Sequence, residues 1–224
     1  MYAETTGGIA LPKPSRAQRK PALRSKGSFC GHLIVGDYPG RVVVFESDLE
    51  RKVALILDAD RNVAEIHEQA ACNWRDRIGK ERIHFFDFLV HQKDGRRIAI
   101  AVKHSKRLQS GRVLNELAEI AIHAVGKFCD EVRVVSERDI NPIQFHNAQL
   151  FNAVRRPDPE VDSAVLDLML DLSGRILIMD IVKATGMGPR AFRSIVRMIA
   201  KGPLQLSEEQ PITPQARVLI MRKH

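Results

Sequence analysis

Two β-prone runs, Ile83–Val90 and Arg97–Lys103, stand on either side of Asp94-Gly95. An Asp-Gly pair between such runs favours a tight turn, because both residue types tolerate the positive φ a hairpin needs. The spacing predicts two neighbouring antiparallel strands. Along the second, alternation sends Ile98, Ile100 and Val102 to one face and Ala99, Ala101 and Lys103 to the other. A lysine closing a strand this apolar needs a reason, and Asp87 lies on the adjacent strand.

Around this pair the chain reads as α/β. His32–Val35 and Val42–Phe45 form a second hairpin across Asp37-Tyr38-Pro39-Gly40. Glu46 to about Ala59 reads as a helix, with Leu49, Val53, Ile56 and Leu57 at helical spacing. Val63–Ala70 reads as extended, Leu108–Val125 as one long amphipathic helix, Glu131–Val135 as a strand and Pro142–Val154 as a helix. Arg155-Arg156-Pro157-Asp158-Pro159 is the expected linker, since its prolines stop the preceding helix. Residues 28–156 are then one domain and 157–224 a smaller second one. Residues 1–27 are expected to be a flexible basic arm, with Lys13, Arg16, Arg19, Lys20, Arg24 and Lys26 against Glu4 alone. Such an arm either tracks phosphates, bringing Arg19 and Lys20 to DNA, or serves only as a solubilising tail.

Beyond the linker come helical segments at about Glu160–Leu172, Leu177–Ala184 and Pro189–Lys201, with Leu204–Leu206 and Arg217–Met221 as a two-stranded wing. In the last helix Phe192, Ile195, Val196 and Ile199 share one face. Arg190, Arg193, Arg197 and Lys201 cluster opposite, and no acid interrupts the helix. With the glycine-containing turn Thr185–Pro189 before it, this is the pattern of a helix-turn-helix with a basic recognition helix. The same face can simply meet water or an acidic partner; its single sign favours DNA.

The net charge of +8 agrees with an anionic partner. No run approaches the length of a membrane span, and the N-terminus lacks the apolar stretch of a secretory signal. Cys30, Cys72 and Cys129 are widely spaced, which argues against a disulfide framework or a cysteine-rich zinc site and for a reducing cytoplasm. His84, His91 and His104 lack tight ligand spacing and read as strand-end or DNA-facing residues.

Ser47-Asp48-Leu49-Glu50, Glu68-Gln69, Asp87-Phe88-Leu89-Val90, Lys93-Asp94-Gly95, Ile98–Lys103 and Ile140-Asn141-Pro142 together resemble, in order and spacing, the TnsA family of endonuclease subunits of heteromeric transposases. The resemblance runs from about residue 40 to 145. It implies a restriction-endonuclease-like core of the PD-(D/E)xK type, with a mixed sheet flanked by helices, followed by a small helical C-terminal domain, which agrees with the winged-helix-like unit that the helices and two-stranded wing above predict. It further implies that Glu50 and Asp87 are acidic site residues and Lys103 the catalytic lysine. Magnesium or manganese would be held by Asp87, Glu50 and the carbonyl of Val102. Implied partners are double-stranded DNA, a DDE-type transposase subunit and an accessory ATPase, in a cytoplasmic, nucleoid-associated setting. One position departs: where the family has Gln or an acid two residues before the lysine, this chain has Ala101. Glu46, Glu68 or water can fill that gap. Two functions follow as expectations: an endonuclease subunit cutting at the ends of a mobile element, or a degenerate relative that binds DNA as a regulator or scaffold.

Overall fold

The structure, a computed structural model, describes residues 10–19 and 29–221. The chain divides into two compact units, one of residues 1–35 and 40–141, the other of 36–39 and 142–224.

The first unit opens with the antiparallel pair β1 (Gly31–Val35) and β2 (Arg41–Phe45), as expected. Helix α1 (Asp48–Ala59) follows, started by Ser47, whose hydroxyl accepts from the N–H of Glu50. Strands β3 (Val63–Arg75) and β4 (Glu81–Gln92) form a long antiparallel ribbon. β5 (Arg97–Val102) pairs with β4 across the Asp94-Gly95 turn, where Gly95 takes φ 91°. The expected long helix is in fact a single turn, α2 (Ser105–Leu108), and then α3 (Arg112–Ala124). Gly111 at φ 69° separates them by leaving helical geometry. α3 carries the chain back to β6 (Glu131–Val135), which pairs parallel with β5. The sheet order is β3-β4-β5-β6.

This mixed four-stranded sheet is covered on both faces. Leu49, Val53 and Ala54 of α1 pack with Ile66, Phe88, Val90, Ile98, Ile100 and Val102. Leu117, Ile120 and Ala124 of α3 pack with Ala70, Cys72, Phe86, Leu89, Ala99 and Ala101. From Ile98 to Val102 β5 is apolar without a break because both of its faces are buried. The expected alternation therefore holds from Ile98 to Val102.

The second unit begins at α4 (Pro142–Ala153), not after Pro157. Asn147 accepts from the N–H of Ile212 at 2.8 Å and donates to the carbonyl of Gln210 at 3.0 Å, tying α4 to the C-terminal segment. α5 (Pro159–Leu170), β7 (Arg175–Leu177), α6 (Ile178–Thr185), α7 (Pro189–Lys201), β8 (Leu204–Leu206) and β9 (Arg217–Ile220) complete it. The two strands expected at Leu204–Leu206 and Arg217–Met221 are present as β8 and β9 and pair antiparallel. The three-residue β7 joins them to give a sheet of order β7-β9-β8. Val161, Val165, Ile178, Ile181, Ile195, Val196, Leu204 and Val218 are among the residues that form its core. Among the described residues, no helix is long and apolar enough to cross a membrane.

Candidate functional site

A cavity of about 510 Å³ in the first unit is lined by Glu46, Ser47 and Glu50 from the start of α1, by His84 and Asp87 from β4, and by Val102 and Lys103 from the end of β5. Arg19, His104 and Arg107 also reach its wall. The three residues expected to act together, Glu50, Asp87 and Lys103, are thus brought into one place by three separate elements.

Asp87 is buried, and its Oδ2 accepts from the N–H of Val102 at 2.7 Å and from Lys103 Nζ at 3.0 Å. What Val102 contributes in this arrangement is its N–H, held by Asp87. Glu50 is also buried, and its carboxylate folds back over the start of its own helix. Oε2 accepts from the N–H of Glu46 at 2.8 Å and Oε1 from the Ser47 hydroxyl at 2.9 Å. This reciprocal Ser-x-x-Glu arrangement satisfies donors that a helix start leaves unpaired. Burial pushes the Glu50 carboxyl above its ordinary range, and the charge of Asp87 adds to the shift. Burial also holds His84 below the usual histidine range, with Lys103 acting in the same direction.

A hard divalent cation suits this donor set. Magnesium keeps several waters and is commonly held by one or two carboxylates plus substrate phosphates. Glu50 and Asp87 supply two hard carboxylates, and their mutual repulsion is what a bound cation would relieve. Among the described residues no group of three or more His, Cys, Asp and Glu side chains forms a site that could hold a metal. Glu68 does not fill the gap. It is fully buried, bound by Arg41 at 2.8 Å and by the hydroxyl of Ser15 at 2.5 Å. Glu46 does line the cavity, but Arg19 Nη2 holds it at 2.6 Å. Ala101 does not line the cavity: it is fully buried against the α3 side of the sheet.

Two expectations about basic residues change. Residues 10–19 are not a free arm. Lys13 bridges to β2 through the carbonyl of Gly40 and the N–H of Val42, both at 2.9 Å. Arg19 donates to Gln69 Oε1 at 3.1 and 2.8 Å and lies over the Phe85 ring. Lys20 and the remaining basic residues up to Lys26 lie outside the described residues.

In the second unit, α7 does not present four free cations. Arg197 is buried, donating to Asp162 through Nε at 3.0 Å and Nη2 at 2.5 Å, and to the carbonyl of Val154. Arg190 is exposed but clamped by Asp158 at 2.9 Å and Glu160 at 2.7 Å. Arg193 is exposed, and Lys201 lies 3.6 Å from Asp37. These acids come from α5, from Asp158 that precedes it and from Asp37, so reading α7 by itself misses them. Arg107, by contrast, reaches the cavity from the short turn α2, and no motif in the sequence marks it.

No protein-family model matches the chain, and no curated protein matches its sequence.

Proposed function

We propose that this chain is a DNA-acting endonuclease subunit similar to the TnsA family, hydrolysing a phosphodiester at the ends of a mobile element beside a DDE-type transposase subunit and an accessory ATPase. The observation that carries the reading is the convergence of Glu50, Asp87 and Lys103 on one cavity from a helix, a central strand and the end of its neighbour. A mixed sheet between two helical layers is compatible with a restriction-endonuclease-like core. Bound magnesium or manganese would polarise the phosphate and lower the pKa of an attacking water.

Glu50 and Asp87 would hold that ion. Lys103 keeps Asp87 in place and supplies positive charge where a pentavalent phosphate gathers negative charge. Arg19 and Arg107 add cationic groups to the same wall, suited to the flanking phosphates. In the second unit, the order helix-strand-helix-helix-strand-strand after α4 supports a winged-helix-like module. Arg193 and Lys201 are its candidate DNA contacts. Arg190 and Arg197 are withdrawn from that role by their acidic partners.

Position 101 favours a second reading, a relative that keeps the fold and binds DNA without cutting it. Nicking of supercoiled plasmid in manganese separates the two. Asp87→Asn is the informative variant, because alanine would leave the Val102 N–H and Lys103 without their acceptor. If the native chain nicks, Asp87→Asn and Lys103→Met should each lose on the order of a hundredfold or more. A native chain that binds duplex but stays inert beside its transposase supports the second reading.

A further inference from the structure

We infer that the outer end of the β3–β4 ribbon is a duplex-binding arm whose tip residue, Ile78, enters the minor groove as an apolar wedge; the inference rests on the DNA reading above. The ribbon outruns its core. Cys72 and Phe86 are the outermost fully buried residues on the α3 side, with only the partly buried Trp74 packed beyond them, yet pairing continues through Asn73↔Ile83 and Trp74↔Arg82 to Arg75↔Glu81. A two-stranded extension of this kind is marginal unless something covers or uses it.

The turn at its end is rigidly built. Asp76 Oδ1 accepts from the N–H groups of Ile78 at 3.2 Å and Lys80 at 2.9 Å, while Oδ2 accepts from Arg82 Nε at 3.0 Å. The Asp76 N–H donates to the carbonyl of Lys80 at 3.0 Å, and Gly79 turns the chain at φ 79°. These bonds set Ile78 at the apex, 84% exposed. A single exposed apolar residue is ordinary by itself. This one is pre-ordered and ringed by exposed Arg75, Arg77, Lys80 and Arg82. Of the three acids nearby, Asp76 is engaged within the turn, Glu81 pairs with Arg75 and Glu119 of α3 pairs with Arg77, so the four cations exceed the acids by one. Basic ribbons with an apolar tip suit the minor groove, where phosphates flank the entry and a wedge can part a base step.

The arm also has a measurable reach. Gly79 lies eight residues before Asp87, just beyond the start of β4. At about 3.3 Å per residue that is at most about 26 Å, or about eight base pairs from the cavity.

The test uses the full chain and a labelled duplex of about 30 base pairs. Binding is followed by anisotropy across a salt series, and bending by energy transfer between the duplex ends. Replacing Arg77 and Lys80 together by Gln should weaken binding and reduce the salt slope by about two, near 0.9 for each phosphate no longer neutralised. Ile78→Ser should leave the slope unchanged and abolish the bend. Matching thermal melts by circular dichroism would show that the variants are folded. The inference is overturned if the native chain binds duplex and the double variant matches it in affinity and slope. It is equally overturned if polyglutamate competes as well as unlabelled duplex at equal charge. If the native chain binds no duplex, the DNA reading itself falls and takes the arm with it.

Discussion

Replacing Arg197 by alanine should destabilise the second unit without acting on DNA directly. The guanidinium side chain is only 6% exposed and makes two short bonds to Asp162, whose carboxylate also accepts from the Ser194 hydroxyl at 2.6 Å and the Asp158 N–H at 3.1 Å. Breaking one side of a buried pair costs about 3–5 kcal/mol, because the other charge is left without its counter-ion. Asp162 keeps the Ser194 bond and is itself 20% exposed, so the lower end, about 3 kcal/mol, applies. For a unit of this size that corresponds to a fall in melting temperature on the order of 15 °C. The pH dependence has a definite sign. Burial opposes the shift, but bonds from Arg197 and Ser194 outweigh it and hold Asp162 below its usual range. A carboxylate lowered in this way stabilises the fold fully above about pH 4, and the contribution is lost as pH falls through the lowered value. The cost of Arg197→Ala should therefore shrink in acid. Denaturant unfolding followed by hydrogen exchange in α5 and α7 measures this, with Arg193→Ala as the control, expected within about 0.5 kcal/mol of native. If Arg197→Ala unfolds like the native chain yet flattens the salt dependence of DNA binding, Arg197 is a contact residue and the argument is refuted.

Three further outcomes are expected. Glu50→Gln should raise thermal stability at pH 7 to 8 in the absence of metal. A carboxyl whose folded pKa is raised loses stabilisation as pH climbs through it, so the difference should vanish below about pH 4. Manganese at about 100 times its Kd should then stabilise the native chain by about 2.7 kcal/mol and the variant hardly at all; equal shifts would remove Glu50 from the metal. Ala101→Gln should cost about 1–3 kcal/mol by overpacking the α3 side of the sheet and should not raise plasmid nicking, whereas a gain in nicking would show that the position reaches the cavity. Gly188→Ala should cost about 1–3 kcal/mol in a thermal melt. Its φ of 54° with ψ of −131° suits glycine only, and an added Cβ meets no atom within 4 Å, so the loss is one of backbone strain; an unchanged melt would mean the turn relaxes freely.

What the sequence reveals here depends on how local the cause is. The Asp94-Gly95 hairpin, the limits of α7 and the two faces of β5 follow from neighbours a few residues apart, and all are found. Gly111 could be read as a helix break, yet apolar periodicity on both sides argues for continuity. The unit boundary depends on Asn147 bonding residues more than 60 positions later. Arg197 looks like part of a basic face until Asp162, 35 residues earlier, is folded onto it. For the candidate site, the chemistry of Glu50, Asp87 and Lys103 is legible in their types and order. The direction Ala101 faces relative to the cavity is set by the sheet.

How Asp87 comes to face that cavity depends on an irregularity that neither strand shows alone. Ile66 and Ala70, four residues apart on β3, should share a face, but Ile66 packs on the α1 side and Ala70 on the α3 side. Phe88 and Phe86 on β4 split in the same way. Both strands therefore change face between the pairs Glu68↔Phe88 and Ala70↔Phe86, where Gln69 and Asp87 lie. Gln69 is the one non-glycine residue with positive φ among the described residues, at 49°. Such a conformation costs about 1–3 kcal/mol and persists only where its surroundings fix it. Arg19 bonds its amide oxygen, and the Arg41–Glu68 pair anchors the preceding residue. Pairing between β4 and β5 also stops at Phe88↔Ile100, so the Val102 N–H needs another acceptor, which the Asp87 carboxylate provides. The strain at Gln69 and the placement of Asp87 are in this sense one feature. It predicts that Gln69→Gly, which removes the backbone penalty but also the Arg19 anchor, should weaken metal binding at Asp87 more than it alters global stability; isothermal titration with manganese beside a thermal melt tests this, and a loss of stability with metal affinity intact would uncouple the two.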